Sequence, residues 1–169
     1  FADMFTERDL AGEYDESKCA IIECAGDKIN TSSKAVGVSG SKALISKEGT
    51  YIIRGTLTDG TIIVDADDTA KIQIILDNAN ITSATHAAIY VKNANKVFVT
   101  LAKGSSNSLK NGGKFEQTDE NNVDAPVFTK SDITFNGTGT LVVESTAGHG
   151  IVAKDDLVIA GGNYKVTAS

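Results

Sequence analysis

Among its 169 residues the chain has no tryptophan, one proline, one methionine, two cysteines and two histidines. Each scarcity excludes something. Without Trp, and with its four tyrosines (Tyr14, Tyr51, Tyr90, Tyr164) spread along the chain, no coplanar aromatic row is available to grip a flat polymer surface. His86 and His149 lack sequence neighbours that would make a Cys–His zinc set or a nucleophile–histidine pair. Cys19 and Cys24 lie in the alternating, strand-like "KCAIIEC". A separation of five sets their sulfurs on opposite faces, which leaves buried free thiols or bridges to another segment or chain. No apolar run reaches the roughly 18 residues that a membrane-spanning helix needs.

Positive charge is scarce too, with 16 Lys and Arg against 22 Asp and Glu, a net charge of −6. That argues against a nucleic-acid partner, which requires a basic face. It is compatible with hard divalent cations or with solubility alone. The chain opens on Phe1, which fits an exported protein already relieved of its leader and fits a fragment equally well.

What is abundant is β-branched sequence. Short runs such as "YIIRGTL", "TIIVDA", "KIQIIL", "KVFVTL" and "TLVVES" are separated by Gly, Asn, Asp and Ser corners, with no helical stripe between them. Three stretches echo one another: "AAIYVKNANKVFVTL" from Ala87, "APVFTKSDITF" from Ala125 and "HGIVAKDDLVI" from His149. Val127 to Ile151 is 24 residues, as is Lys130 to Lys154, and Ile63 to Ile89 is 26. Ile89 to Val127 is 38, but "KGSSNSLKNGGKFEQTDENN" (Lys103 to Asn122) reads as a polar loop inside that interval.

Self-similarity at this period predicts an all-β, right-handed parallel β-helix of about five coils, spanning residues 36–169. Ile89, Val127 and Ile151 should form one inward ladder, and Val97, Ile133 and Leu157 another. Gly137 and Gly161 should take tight corners. Residues 1–35 are expected to supply a cap and a lead-in strand, the cap being a short helix with Phe1, Met4, Phe5 and Leu10 on one side.

The long stretch from "EGTYIIRGTLTDGTIIVDADDTAKIQIILDNANITSATHAAIYVKNANKVFVTL", then "FTKSDITFNGTGTLVV" and "GIVAKDDLVIAGGNYKVTA", resembles the secreted bacterial carbohydrate-binding β-helix proteins. Those are similar in fold to the calcium-dependent polysaccharide lyases of family nine. The resemblance implies an extracellular or cell-surface protein that binds cell-wall polysaccharide, acidic sugars especially. It further implies calcium at solenoid corners and no established catalysis. Members of that family continue for several more coils past the position of Ser169.

Two sets of residues are candidates for contact. Lys92, Lys130 and Lys154 recur at one corner. Two ammonium groups about 5 Å apart in water repel by only about 0.8 kcal/mol, so a solvated corner is tolerable. A cationic strip for uronate carboxylates is the functional alternative. Asp65, Asp67 and Asp68 in "DADD", and Asp132 with Asp155 and Asp156, are the candidate calcium ligands. The run Asp119 to Asp124 is a looser candidate, and Asp favours corners without any ion. Lys130 or Lys154 beside these acids has the ingredients of a lyase, but they are ordinary for a corner, and no catalytic activity is expected. The function expected is non-catalytic polysaccharide binding. The alternative is a filament subunit stacked through open β-helix ends, a homo-oligomer that would sediment where a binder stays monodisperse.

Overall fold

The computed structural model describes residue 17 and residues 19–112, 114–117, 119–145 and 149–168. The helical cap expected at Phe1–Leu10 lies outside the described residues, which contain no α-helix, and so none able to cross a membrane. In chain order the first eight strands are β1 (Ala20–Gly26), β2 (Lys28–Thr31), β3 (Val36–Ser39), β4 (Lys42–Ile45), β5 (Gly49–Leu57), β6 (Thr61–Asp65), β7 (Lys71–Ser83) and β8 (Ile89–Asn93). Then follow β9 (Lys96–Leu101), β10 (Ser106–Asn111), β11 (Val127–Thr129), β12 (Asp132–Gly137), β13 (Thr140–Ser145), β14 (Ile151–Ala153), β15 (Leu157–Ile159) and β16 (Asn163–Ala168).

The fold is all-β with two mixed sheets. One runs β14-β11-β8-β6-β4-β3, parallel except for the antiparallel β3–β4 pair. Within this sheet the parallel pairing begins with β4 and β6. The other sheet bends along β7: β9, β12 and β15 follow from its first half, and β10, β13 and β16 from its second. At the bend Asn78 has φ 57°, a left-handed conformation that Asn tolerates better than most residues. Its Oδ1 accepts a hydrogen bond from Ser106 N at 3.0 Å. The register between β5 and β7 slips there, between Ile53 and Gly55. β1, in the lead-in, pairs antiparallel with β2 and parallel with β5.

Alternation decides which side chains go inside. Val127 is in register with both Ile89 and Ile151, and Ile133 with both Val97 and Leu157, as the echo predicts. Ile89, Val97, Val127 and Ile133 are fully buried in one core, each stabilising the stack by about 1.5–3 kcal/mol. Leu157, on the outermost strand of its group, is 44% exposed. Gly137 has φ 92°, and a Cβ there would meet the Leu101 carbonyl oxygen at 2.2 Å; one at Gly161 would stand 2.9 Å from the Gly137 oxygen.

Two details of the sequence reading change. Ile89 pairs with Ile62, not Ile63, so the interval is one residue longer. Residues 103–122 are not wholly loop, because β10 pairs in parallel with β7 and β13. Its polar residues bond between turns: Asn107 Oδ1 accepts from Ala79 N at 2.8 Å and its Nδ2 donates to Thr140 O at 3.1 Å. The true excursion begins at Gly112. Neither Cys19 nor Cys24 forms a disulfide, and burial pushes the Cys24 thiol up to about 11.

Candidate functional site

The lysine column sits on a single edge of the six-stranded sheet. Val91, Thr129 and Ala153 are in register, and Lys92, Lys130 and Lys154 each follow one residue later. Backbone bonds from Lys130 N to Val91 O (3.1 Å) and from Lys154 N to Thr129 O (2.8 Å) hold the spacing. The three ammonium groups meet different surroundings. Lys92 lies 3.5 Å from Asp119. Lys154 stands over the Phe128 ring, 5.7 Å from its centroid. Lys130 is exposed.

Round the same corner, Asp132 opens β12 while Asp155 and Asp156 precede β15. Their carboxylate oxygens lie within 4.8 Å of one another, the one such gathering among the described residues. Asp156 N donates to Asp132 Oδ1 at 3.1 Å. The charge of Asp132 is the main reason that Asp155 rises above the usual carboxylate value, with slight desolvation and Asp156 adding to it.

Asp65, Asp67 and Asp68 remain apart from that group. All three are exposed, and Asp68 Oδ1 accepts from Asn93 Nδ2 at 2.7 Å. Asp65 is in register with Asn93, whereas Asp132 is in register with Lys96, so the two acidic corners do not form one column. In the run from Asp119 to Asp124, both aspartates are engaged locally. Asp124 lies 3.6 Å from His149 Nε2, which gives that histidine a partner invisible in sequence.

The excursion after Gly112 forms a flap over the outside of the sheet. Ala87, Tyr90, Val123 and Phe128 make a small core there, with Phe115 and Val152 packed against it. Tyr90 and Phe128, in register, meet edge to face at 5.8 Å. The Tyr90 hydroxyl donates to Asp119 Oδ2 at 2.7 Å and accepts from Asn121 Nδ2 at 2.7 Å. Burial first, then the bond to Asp119, pushes Tyr90 up to about 12. Burial works to raise Asp119, but the bonds from Tyr90 and Asn121 N and the nearby Lys92 outweigh it and hold the carboxyl below its usual value. Beside the flap lies a cleft of about 440 Å³ lined by residues from three turns of the stack, among them Lys42, Asp59, His86 and Lys92, with Glu116 and Asp119 from the flap. His86 is buried, packs on Tyr90 at 5.0 Å, and is held below the ordinary imidazole value by that burial, Asp119 opposing and Lys42 assisting.

Residues 39–169 match the family described as carbohydrate-binding domain-containing protein. The chain belongs to that family. A carbohydrate-binding domain-containing protein of Acetivibrio thermocellus is 37% identical over 145 residues, covering 84% of this chain and 51% of that protein. The chain thus spans about half the length of the curated relative it matches. Among solved structures, that of the polysaccharide lyase-like protein from C. thermocellum, a gadolinium derivative, is similar with a TM-score of 0.82 and 36% identity. It is covered over 60% of its length by 86% of this chain.

Within this family member the sequence reading named the corner residues and missed the cleft. Lys42, Asp59, His86 and Glu116 share no motif and come from separate turns. One signal pointed there: the interval from Ile89 to Val127 exceeds the period, and an insertion in a stack of strands must lie over a neighbouring face.

Proposed function

We propose that this chain is an extracellular, non-catalytic polysaccharide-binding unit built as a right-handed parallel β-helix, and that it holds acidic sugars with calcium at one corner. The observation that carries this is the meeting of Asp132, Asp155 and Asp156 on the corner that also bears Lys130 and Lys154. The donor set fits a hard cation: all ligands are carboxylate oxygens, and their mutual repulsion, felt at Asp155, is relieved by positive charge. Calcium takes about six to eight oxygens, so three carboxylates leave positions for water and for a uronate carboxylate. A bridging cation also answers the net charge of −6, which on its own repels a polyuronate. Lys130 and Lys154 add point charges beside it, whereas Lys92 is engaged by Asp119. Membership of a carbohydrate-binding family supports the ligand class.

A lyase role is disfavoured by exposure. Lys130, Lys154, Asp155 and Asp156 all face solvent, whereas a proton-abstraction step gains from a site that excludes water. The test is retention on immobilised polygalacturonate with calcium and with chelator. Binding should require calcium and weaken at least tenfold when Asp155 and Asp156 are both changed to Asn. Chelator-resistant binding would remove calcium from the reading, and an unsaturated product appearing on incubation would remove "non-catalytic".

A further inference from the structure

We infer that the cleft beside the flap is a second sugar site, separate from the lysine corner, and that it takes a single neutral glycosyl residue. Its walls carry both signs of charge within a small space. Lys42 and Lys92 face Asp59, Glu116 and Asp119, and the Lys92–Asp119 pair at 3.5 Å leaves one ammonium against two carboxylates. Buried His86 stays uncharged near neutral pH. An acidic sugar meets net repulsion there, and a cationic one meets Lys42. Neighbouring hydroxyls of a neutral sugar suit the walls because each both donates and accepts. Carboxylates take their protons in charge-assisted bonds, and the ammonium groups and the Ser41, Thr61 and Thr85 hydroxyls bond their oxygens.

The walls are fixed before any ligand arrives. Asp59 Oδ1 accepts from Ala84 N at 2.9 Å, and Gly60 N donates to Thr82 O at 2.9 Å. Glu116 N donates to Thr85 O at 2.7 Å, so the flap is tied to the same turn that Asp59 holds through Ala84. Asn111 Nδ2 donates to Ser83 O and His86 O, at 3.3 and 3.1 Å, and pins the root of the flap. Such preorganisation lowers the ordering cost of binding. The volume falls within the roughly 300–1,000 Å³ of small-ligand sites. Half-buried Ile63 and the edge of Tyr90 also line the cleft, so the apolar face of a sugar ring has a surface to pack on beside the hydrogen-bonding groups.

The experiment is amide NMR of the whole chain in chelator, titrated with methyl glycosides of glucose, galactose and xylose, and separately with those of galacturonic acid and glucosamine. Chelator silences the calcium reading of the corner, so the outcomes of the two sites stay distinct. At least one neutral glycoside should shift Thr61, Thr85 and Glu116 together, leaving Lys154 and Asp156 unmoved. The double variant Asp59→Asn, Glu116→Gln should weaken it at least tenfold. The first of these changes keeps a side-chain oxygen for Ala84 N, so an unchanged spectrum elsewhere verifies the fold. No shift with any neutral glycoside, stronger binding of the acidic or amino sugar, or an unaffected double variant would each overturn the inference.

Discussion

The two faces of the sheet β14-β11-β8-β6-β4 are written by alternate residues of the same strands, yet different forces shape them. Inward, Ala43, Ile62, Ile89, Val127 and Ile151 stand in register, and the first four are fully buried. Outward, Leu44, Ile63, Tyr90, Phe128 and Val152 stand in register one residue along. That column is 41% exposed at Leu44 but 1% exposed at Tyr90 and Phe128, where the flap covers it. The inner column exists because each turn must bury an aliphatic side chain on the one before. The outer column changes from aliphatic to aromatic where one turn carries an insertion that needs something to pack on.

The largest effect should come from breaking the inner column. Ile89→Ala leaves a cavity between Ile62 and Val127 and should cost about 2–5 kcal/mol in global stability. Leu44→Ala, on the outer column where no flap reaches, should stay within about 0.5 kcal/mol. Urea unfolding of both variants reads the difference. Equal losses would mean that the outer column supports the fold as much as the inner one does.

A smaller, local effect should come from Tyr90→Phe. The ring still packs on Phe128, but the hydroxyl that links Asp119 and Asn121 is gone. A charge-assisted bond is worth about 1.5–3 kcal/mol, and most of that loss should appear as flap opening rather than global unfolding. Hydrogen exchange at Asn121 and Val123 should accelerate at least tenfold while β8 and β11 keep their protection. Uniform acceleration across the sheet would show that flap and sheet open as one unit.

The same contrast explains what the sequence made legible. The inner ladders could be read because stacking forces identical chemistry at a fixed interval, so Ile89, Val127 and Ile151 declare one another. The lysine column and the pairing of Asp132 with Asp156 follow from that register without further information. The slip at Ile62 escaped because Ile62 and Ile63 are alike in type and only the neighbouring strand decides which points inward. β10 escaped because "SNSLKN" is nearly all polar, and its polar side chains serve bonds between turns that composition does not announce. The cleft was illegible for a stronger reason. Asp59, His86 and Glu116 belong to no repeat: the first two come from corners stacked on each other, and the flap adds the third.

The mildest perturbation is acid, and it separates flap from stack without a substitution. Asp119 has a folded pKa below its usual value. Its contribution is therefore complete above the unfolded value of about 3.9 and is lost as pH falls through the lower folded value. His86 is also depressed by burial. Its contribution is complete above about 6.5 and is lost as pH falls from there through its folded value, because the unfolded chain takes up that proton first. Amide shifts of Asn121 and Val123, followed from neutral to acid pH, should move in two steps. The first lies below the ordinary histidine range and the second below the ordinary carboxylate range. The ladder residues Ile89 and Val127, which point into the aliphatic core, should hold still through the first step. In Tyr90→Phe the second step should move to higher pH, since one of the bonds that depress Asp119 has been removed. A second step already at the ordinary carboxylate value in the unaltered chain would mean that Asp119 does not hold the flap, and its packing on the aromatic outer column and its backbone ties to the stack would then have to do so.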